Sequence, residues 1–142
     1  MKKVMAVMCM ATALVACGTS SKIASVDSLN GEWSIVKING EEVKIGEDMT
    51  APFIGFDTTK SHVYGSTSCN RLTGALNADA KTGTIDFSAL GSTRMMCHDM
   101  ATEDKLMGAL GKVKTFKIEK NGTLLLNGQT GNAVVELKQK AK

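Results

Sequence analysis

Aromatic residues are scarce in this chain: one Trp, one Tyr and four Phe among 142 residues. Such a set offers few stacking platforms for nucleobases. An excess of charge is lacking too. The formal balance is +3, but Lys2 and Lys3 precede an apolar leader, and without them 15 basic residues face 14 acidic ones. A near-neutral domain has no electrostatic footprint for nucleic acid, and none is expected as a partner. There is no Gly-x-Ser-x-Gly, no phosphate-binding loop and no dinucleotide fingerprint, so the common signatures of hydrolases, nucleotide triphosphatases and dehydrogenases are missing. The four cysteines contain no Cys-x-x-Cys pair, which removes the signature of thioredoxin-like exchange. The apolar run Val4 to Ala16 falls short of the roughly 20 residues that span a bilayer.

That run is informative for what it is. Met1-Lys2-Lys3 is a basic start, Val4 to Ala16 carries no charge, and the segment ends in Leu14-Val15-Ala16-Cys17-Gly18. Basic start, short apolar stretch and small residues read as a secretory signal. The final residues resemble a bacterial lipobox. The resemblance implies removal of residues 1–16, with Cys9 among them, and acylation of Cys17. Two or more acyl chains anchor a protein stably where one does not. The membrane, reached through this anchor, is therefore an expected partner. Gly18 is not the Asp of an inner-membrane retention signal, so the expected place is the cell envelope, at the outer membrane and facing the periplasm. Residues 17–28 are small and polar, a flexible tether.

The folded part is expected over 29–138, with 139–142 a basic tail; this length holds one domain with one core. Trp33 and Ile35 share one face of a first strand while Val36 and Ile38 share the other, a phase slip that suits a strand at a bend. Asn39-Gly40 is a turn pair because both residues tolerate positive φ. Pro52 opens Phe53-Ile54-Gly55-Phe56, and His62 to Ser66 returns as its hairpin partner. Further strands are expected over 72–80, 84–88, 113–118, 123–127 and 133–137. One helix is expected near 99–111. Asp99 would cap it, Glu103 and Asp104 would complement its positive end, and Met100, Met107 and Leu110 would supply its apolar stripe. Gly108 inside it would permit close approach to the sheet, and Gly111 would end it. The fold class is mainly β (α+β). The short connections force antiparallel pairing, giving a curved sheet or small β-barrel with one packed helix.

Several blocks, in their order, carry a family resemblance: Leu29-Asn-Gly31-Glu-Trp33, Pro52-Phe-Ile-Gly-Phe56, Gly65-Ser-Thr-Ser-Cys69-Asn70-Arg71 and Ser92-Thr93-Arg94-Met95-Met96-Cys97. Followed by a helix and a Leu-rich hairpin, they resemble the META domain, the HslJ-like family of small bacterial envelope lipoproteins. The resemblance implies a lipocalin-like barrel with a packed helix and a link to heat-shock, envelope-stress or drug-resistance responses. It implies no catalytic residues, and neither enzyme activity nor a cofactor is expected.

Cys69 and Cys97 are the even pair left after the leader, and in an oxidising compartment a disulfide is the leading reading. Two buried thiols, or redox or metal chemistry, are the alternatives. A zinc set of Cys69, Cys97, His62 and His98 lacks paired spacing, and a Cys–His nucleophile would compete for the same sulfur. Asn70, Arg71 and Arg94 flank the cysteines and are the candidate binding residues, Arg94 for a carboxylate or phosphate. Two roles follow. One is an accessory factor that acts by contact with an envelope protein partner. The other is a carrier of a small apolar ligand within the barrel.

Overall fold

The computed structural model describes residues 25–141. The expected leader 1–16, the acylated Cys17, most of the tether and Lys142 lie outside them.

Eleven strands form one antiparallel sheet. A 3-10 turn, Val26–Leu29, leads into β1 (Gly31–Ile38) and β2 (Glu41–Glu42). Then come the hairpin β3 (Phe53–Asp57) and β4 (His62–Ser66), followed by β5 (Arg71–Ala75), β6 (Asn77–Asp79), β7 (Thr84–Asp86) and β8 (Gly91–Ser92). Helix α1 (Ala101–Leu110) precedes the meander β9 (Val113–Ile118), β10 (Thr123–Gly128) and β11 (Ala133–Gln139). The order across the sheet is β6-β7-β9-β10-β11-β1-β3-β4-β5-β8, with β2 beside β1. The two ends of chain order thus meet in the middle, where β1 pairs with β11 and β3. β5 and β6 stand near opposite ends of the sheet yet are separated in sequence only by Leu76. The chain itself ties the sheet's margins together and curls it into a half-barrel.

The phase slip in β1 is a bulge. Ile35 faces Leu137 and Lys37 faces Glu136, leaving Val36 as the extra residue. One inserted residue bends the strand and resets its alternation, so Trp33, Ile35 and Ile38 all point inward. Asn39 and Gly40 both take positive φ, 51° and 82°, in the turn that follows.

The inner face is one contiguous apolar cluster. It includes Trp33, Ile54, Phe56, Val63, Phe87, Phe116, Leu124 and Leu137, joined by Leu106, Ala109 and Leu110 from the helix. The indole N–H of Trp33 donates to the Leu29 carbonyl at 2.7 Å, so the one buried indole is satisfied. α1 packs against β11 and β1.

The structure corrects details of the helix. Its buried side is Glu103, Leu106, Ala109 and Leu110, not a methionine stripe, and Met107 is only partly buried. Gly108 faces open space, with nothing within 4 Å of where a Cβ would stand, so it is not a point of close approach. The N-cap position is Met100, although the Asp99 carboxylate still accepts the Ala101 N–H at 2.8 Å. β2 and β8, at two residues each, are too short to show a period, and Leu76 splits the strand expected over 72–80. No helix of the described residues is long and apolar enough to cross a membrane.

Candidate functional site

Both motif segments converge beside the N-terminus of α1. Cys69 and Cys97 form a disulfide, with Cα atoms 5.9 Å apart. Between and beneath them lies Asn70, 1% exposed, and its side chain is fully used. Its Oδ1 accepts from the Met95 N–H at 2.6 Å and from the Thr93 hydroxyl at 2.8 Å. Its Nδ2 donates to the Met95 carbonyl at 3.1 Å and to Glu103 Oε1 at 2.7 Å. An amide has two donor hydrogens and an oxygen with two lone pairs, so every site is filled. By reading both polar groups of Met95, Asn70 acts like a short piece of sheet ladder.

Glu103 completes the network. It comes from the first turn of α1 and is buried at 7% exposure. Oε2 accepts from the Asn70 backbone N–H at 3.0 Å and from the Thr67 hydroxyl at 2.7 Å. The carboxyl group thus accepts three hydrogen bonds from neutral donors and takes part in no ion pair among the described residues. Thr93 extends the chain of bonds: its hydroxyl accepts the Arg71 N–H at 3.0 Å. Ser68, just before Cys69, is held at φ 101°, a value L-residues rarely adopt. The two hydroxyl residues and the amide therefore lock a strained turn, the 93–97 segment and the helix start into one unit.

Sequence reasoning gave Glu103 a role only at the helix's positive end and passed over Thr67. A signal for Glu103 was present. It stands at i, i+3 and i+7 with Leu106 and Leu110, on the buried stripe where an acidic residue needs a reason.

Of the three candidate binding residues, Asn70 has no polar atom left for a ligand, whereas Arg71 and Arg94 are exposed. The sulfurs of Cys69 and Cys97 are joined to each other, so neither is a thiolate for a metal or a nucleophile. His62 is on β4, with Nε2 2.9 Å from the Thr73 hydroxyl, and His98 is exposed in the loop before α1. Among the described residues, no group of three His, Cys, Asp or Glu side chains is arranged to hold a metal ion.

Beside the exposed Arg71 and Arg94, the locked unit presents two apolar side chains outward. Met96 is 90% exposed and Met95 59%, two of three large apolar side chains so exposed among the described residues. Their backbone is pinned on one side by Asn70 and on the other by the Cys97 bridge. Behind Met95 a groove of about 910 Å³ runs across the outer sheet face past Arg71, Thr73, Tyr64 and Phe53. At Tyr64 it meets a second groove of about 780 Å³ bordered by Glu32, Gln139 and Lys140. Burial, followed by the nearby Glu32 carboxylate, raises the Tyr64 hydroxyl above its ordinary pKa.

Comparisons place this geometry among known folds. A family model described as the META domain matches residues 25–141. A solved solution structure of a protein from Burkholderia xenovorans is 16% identical, with TM-score 0.65, and the match covers 96% of this chain and all of that one. A second solution structure is 23% identical, with TM-score 0.58 over 78% of this chain and 89% of that chain. A crystal structure of a DUF4847 family protein from Bacteroides vulgatus is 15% identical, with TM-score 0.56 over 80% of this chain and 95% of that one. At these identities the likeness concerns the fold. No curated protein matches the chain.

Proposed function

This chain belongs to the META domain family, and from that premise we propose that it is a non-catalytic accessory lipoprotein of the bacterial envelope. It is tethered through Cys17 and acts by contact with another envelope protein under stress or drug challenge. One observation carries the contact reading. Two exposed methionines are mounted on a backbone that a disulfide and a saturated amide hold still. Exposed apolar groups that cluster mark interaction sites. Methionine adapts to varied partner shapes. A preordered backbone lowers the entropy lost on association.

The chemistry-bearing residues of both motifs support the same reading. Asn70, Thr67, Thr93 and Glu103 are bonded to one another or to backbone, and the cysteines to each other. That is the arrangement of a scaffold. Carriage of a small apolar ligand inside the barrel ranks second, because Trp33, Phe56, Phe87 and Phe116 occupy that interior.

The test is site-specific photocrosslinking in intact cells, with a photoreactive amino acid at position 96 and, as control, at position 108. A discrete adduct formed from 96 and not from 108 is expected. Equal or absent adducts at both positions would refute the contact surface. Loss of radiolabelled palmitate incorporation in Cys17→Ser tests the anchor separately.

A further inference from the structure

The outer face of β1, β3, β4, β5 and β8 has a construction that the contact surface does not use. Pairing places Glu32, Gly55, Tyr64, Thr73 and Gly91 in one row across the five strands. The next row on the same face is Ser34, Phe53, Ser66 and Arg71. Glycine opposite tyrosine lets the ring lie down. A Cβ on Gly55 would come within 2.3–2.7 Å of three Tyr64 ring carbons, so the phenol covers that backbone with one face against the sheet. His62, two residues along β4, continues the surface: its ring is inclined only 18° to that of Tyr64, with centroids 6.3 Å apart. Phe53 stands at 76° to Tyr64 as a side wall, centroids 6.4 Å apart. The result is a flat aromatic floor with small residues around it, open to both grooves described above.

The polar groups around the floor differ at its two ends. At one end Lys140 is occupied: its Nζ lies 3.2 Å from Glu32 and 5.0 Å from the Phe53 ring centre. At the other, Arg71 is exposed and forms no ion pair among the described residues. Between them are the hydroxyls of Ser66, which accepts the Ser68 N–H at 3.3 Å, and of Thr73, 2.9 Å from His62 Nε2. An aromatic ring presented face-on suits a ligand with a flat C–H face. Hydroxyl side chains suit a ligand rich in hydroxyls, and the unpaired guanidinium suits a carboxylate. A proline-rich peptide instead needs slots between upright rings, and Tyr64 is not upright.

We infer that this groove binds an oligosaccharide bearing a carboxylate group, a sugar ring stacking on Tyr64 and the carboxylate pairing with Arg71. The groove borders the methionine contact surface at Met95, but the two groups that would hold the ligand, Tyr64 and Arg71, are not part of that surface.

Tyr64 is the chain's one tyrosine, so biosynthetic labelling with 3-fluorotyrosine puts a single fluorine reporter on the groove floor. The full chain carrying Cys17→Ser is titrated with β-1,4-linked hexamannuronate, with neutral cellohexaose and a proline-rich decapeptide for comparison. Hexamannuronate is expected to shift the fluorine resonance, saturably, at concentrations below about 10 mM, the range of weak specific sites. Arg71→Ala should weaken hexamannuronate about tenfold and bring it level with cellohexaose. Binding by Tyr64→Phe, followed by calorimetry, should stay within about twofold of the parent, because the ring remains. Tyr64→Ala should abolish it while Trp33 fluorescence reports an intact core. No shift with hexamannuronate would overturn the inference. So would a shift unaffected by Arg71→Ala, or a response to the peptide alone.

Discussion

Replacing Glu103 by Gln changes one atom and reverses one polarity, which makes it a sharp test of the buried network. Both carboxylate oxygens accept hydrogen bonds: Oε1 from Asn70 Nδ2, and Oε2 from the Asn70 N–H and Thr67. Asn70 cannot flip to help, because its Oδ1 already accepts from Met95 and Thr93. The least damaging arrangement keeps the glutamine oxygen on Asn70 Nδ2 and turns its amino group toward Thr67. The Thr67 hydroxyl then donates to the Asn70 carbonyl, a contact of 3.1 Å that already exists. The Asn70 backbone N–H loses its bond to a charged acceptor, worth about 1.5–3 kcal/mol, and one other bond weakens to the neutral range. Relief from burying a carboxylate works in the opposite direction. The net expectation is a loss of about 2–3 kcal/mol, a large share of the stability of a domain this size. Urea unfolding followed by the single tryptophan, Trp33, reads it out. With an m-value of about 2 kcal/mol/M, the midpoint should fall by roughly 1 M. An unchanged or raised midpoint would mean that the cost of burying the carboxylate outweighs its hydrogen bonds, and the account of the network would be wrong.

Other consequences are equally checkable. Reducing the Cys69–Cys97 bridge, which links residues 28 apart, should remove about 3–4 kcal/mol on the chain-entropy argument, seen as a lower melting temperature with reductant that Cys69→Ser/Cys97→Ser reproduces without it. Two glycines should respond oppositely to alanine. At Gly65 the new Cβ would sit 2.3 Å from the Phe53 carbonyl oxygen, for a loss of about 3 kcal/mol in urea unfolding. At Gly108 it meets open space, and helix propensity should add about 0.5–1 kcal/mol in the same assay. The Tyr64 hydroxyl, with its pKa raised by burial and then by Glu32, holds its proton more tightly folded than unfolded. Its contribution is therefore complete below the unfolded value of about 10 and declines as pH rises above it. Ultraviolet titration of the phenolate should show a midpoint above that of the urea-unfolded chain, and Glu32→Gln should lower it.

Features that rest on local chemistry were legible in the chain. Asn39-Gly40 turns because both residues accept positive φ, the alternation in Phe53–Phe56 and His62–Ser66 marks a hairpin, and the motif blocks point to the META domain. Even the bulge at Val36 was visible, as a break in phase. Tertiary structure alone decided what needs residues far apart in the chain. Glu103 looked like a charge placed for the helix dipole until folding brought Asn70 and Thr67, 33 and 36 residues earlier, to its two oxygens. Asn70 looked like a group offered to a ligand, yet its amide is consumed by Thr93, Met95 and Glu103. The half-barrel curl depends on Leu76 carrying the chain from one margin of the sheet to the other, which no periodicity records. Tyr64 lies flat only because strand register sets it opposite Gly55. Local propensity acts within a few residues, whereas register and burial are settled by the whole core, and the candidate sites of this protein are built from the latter.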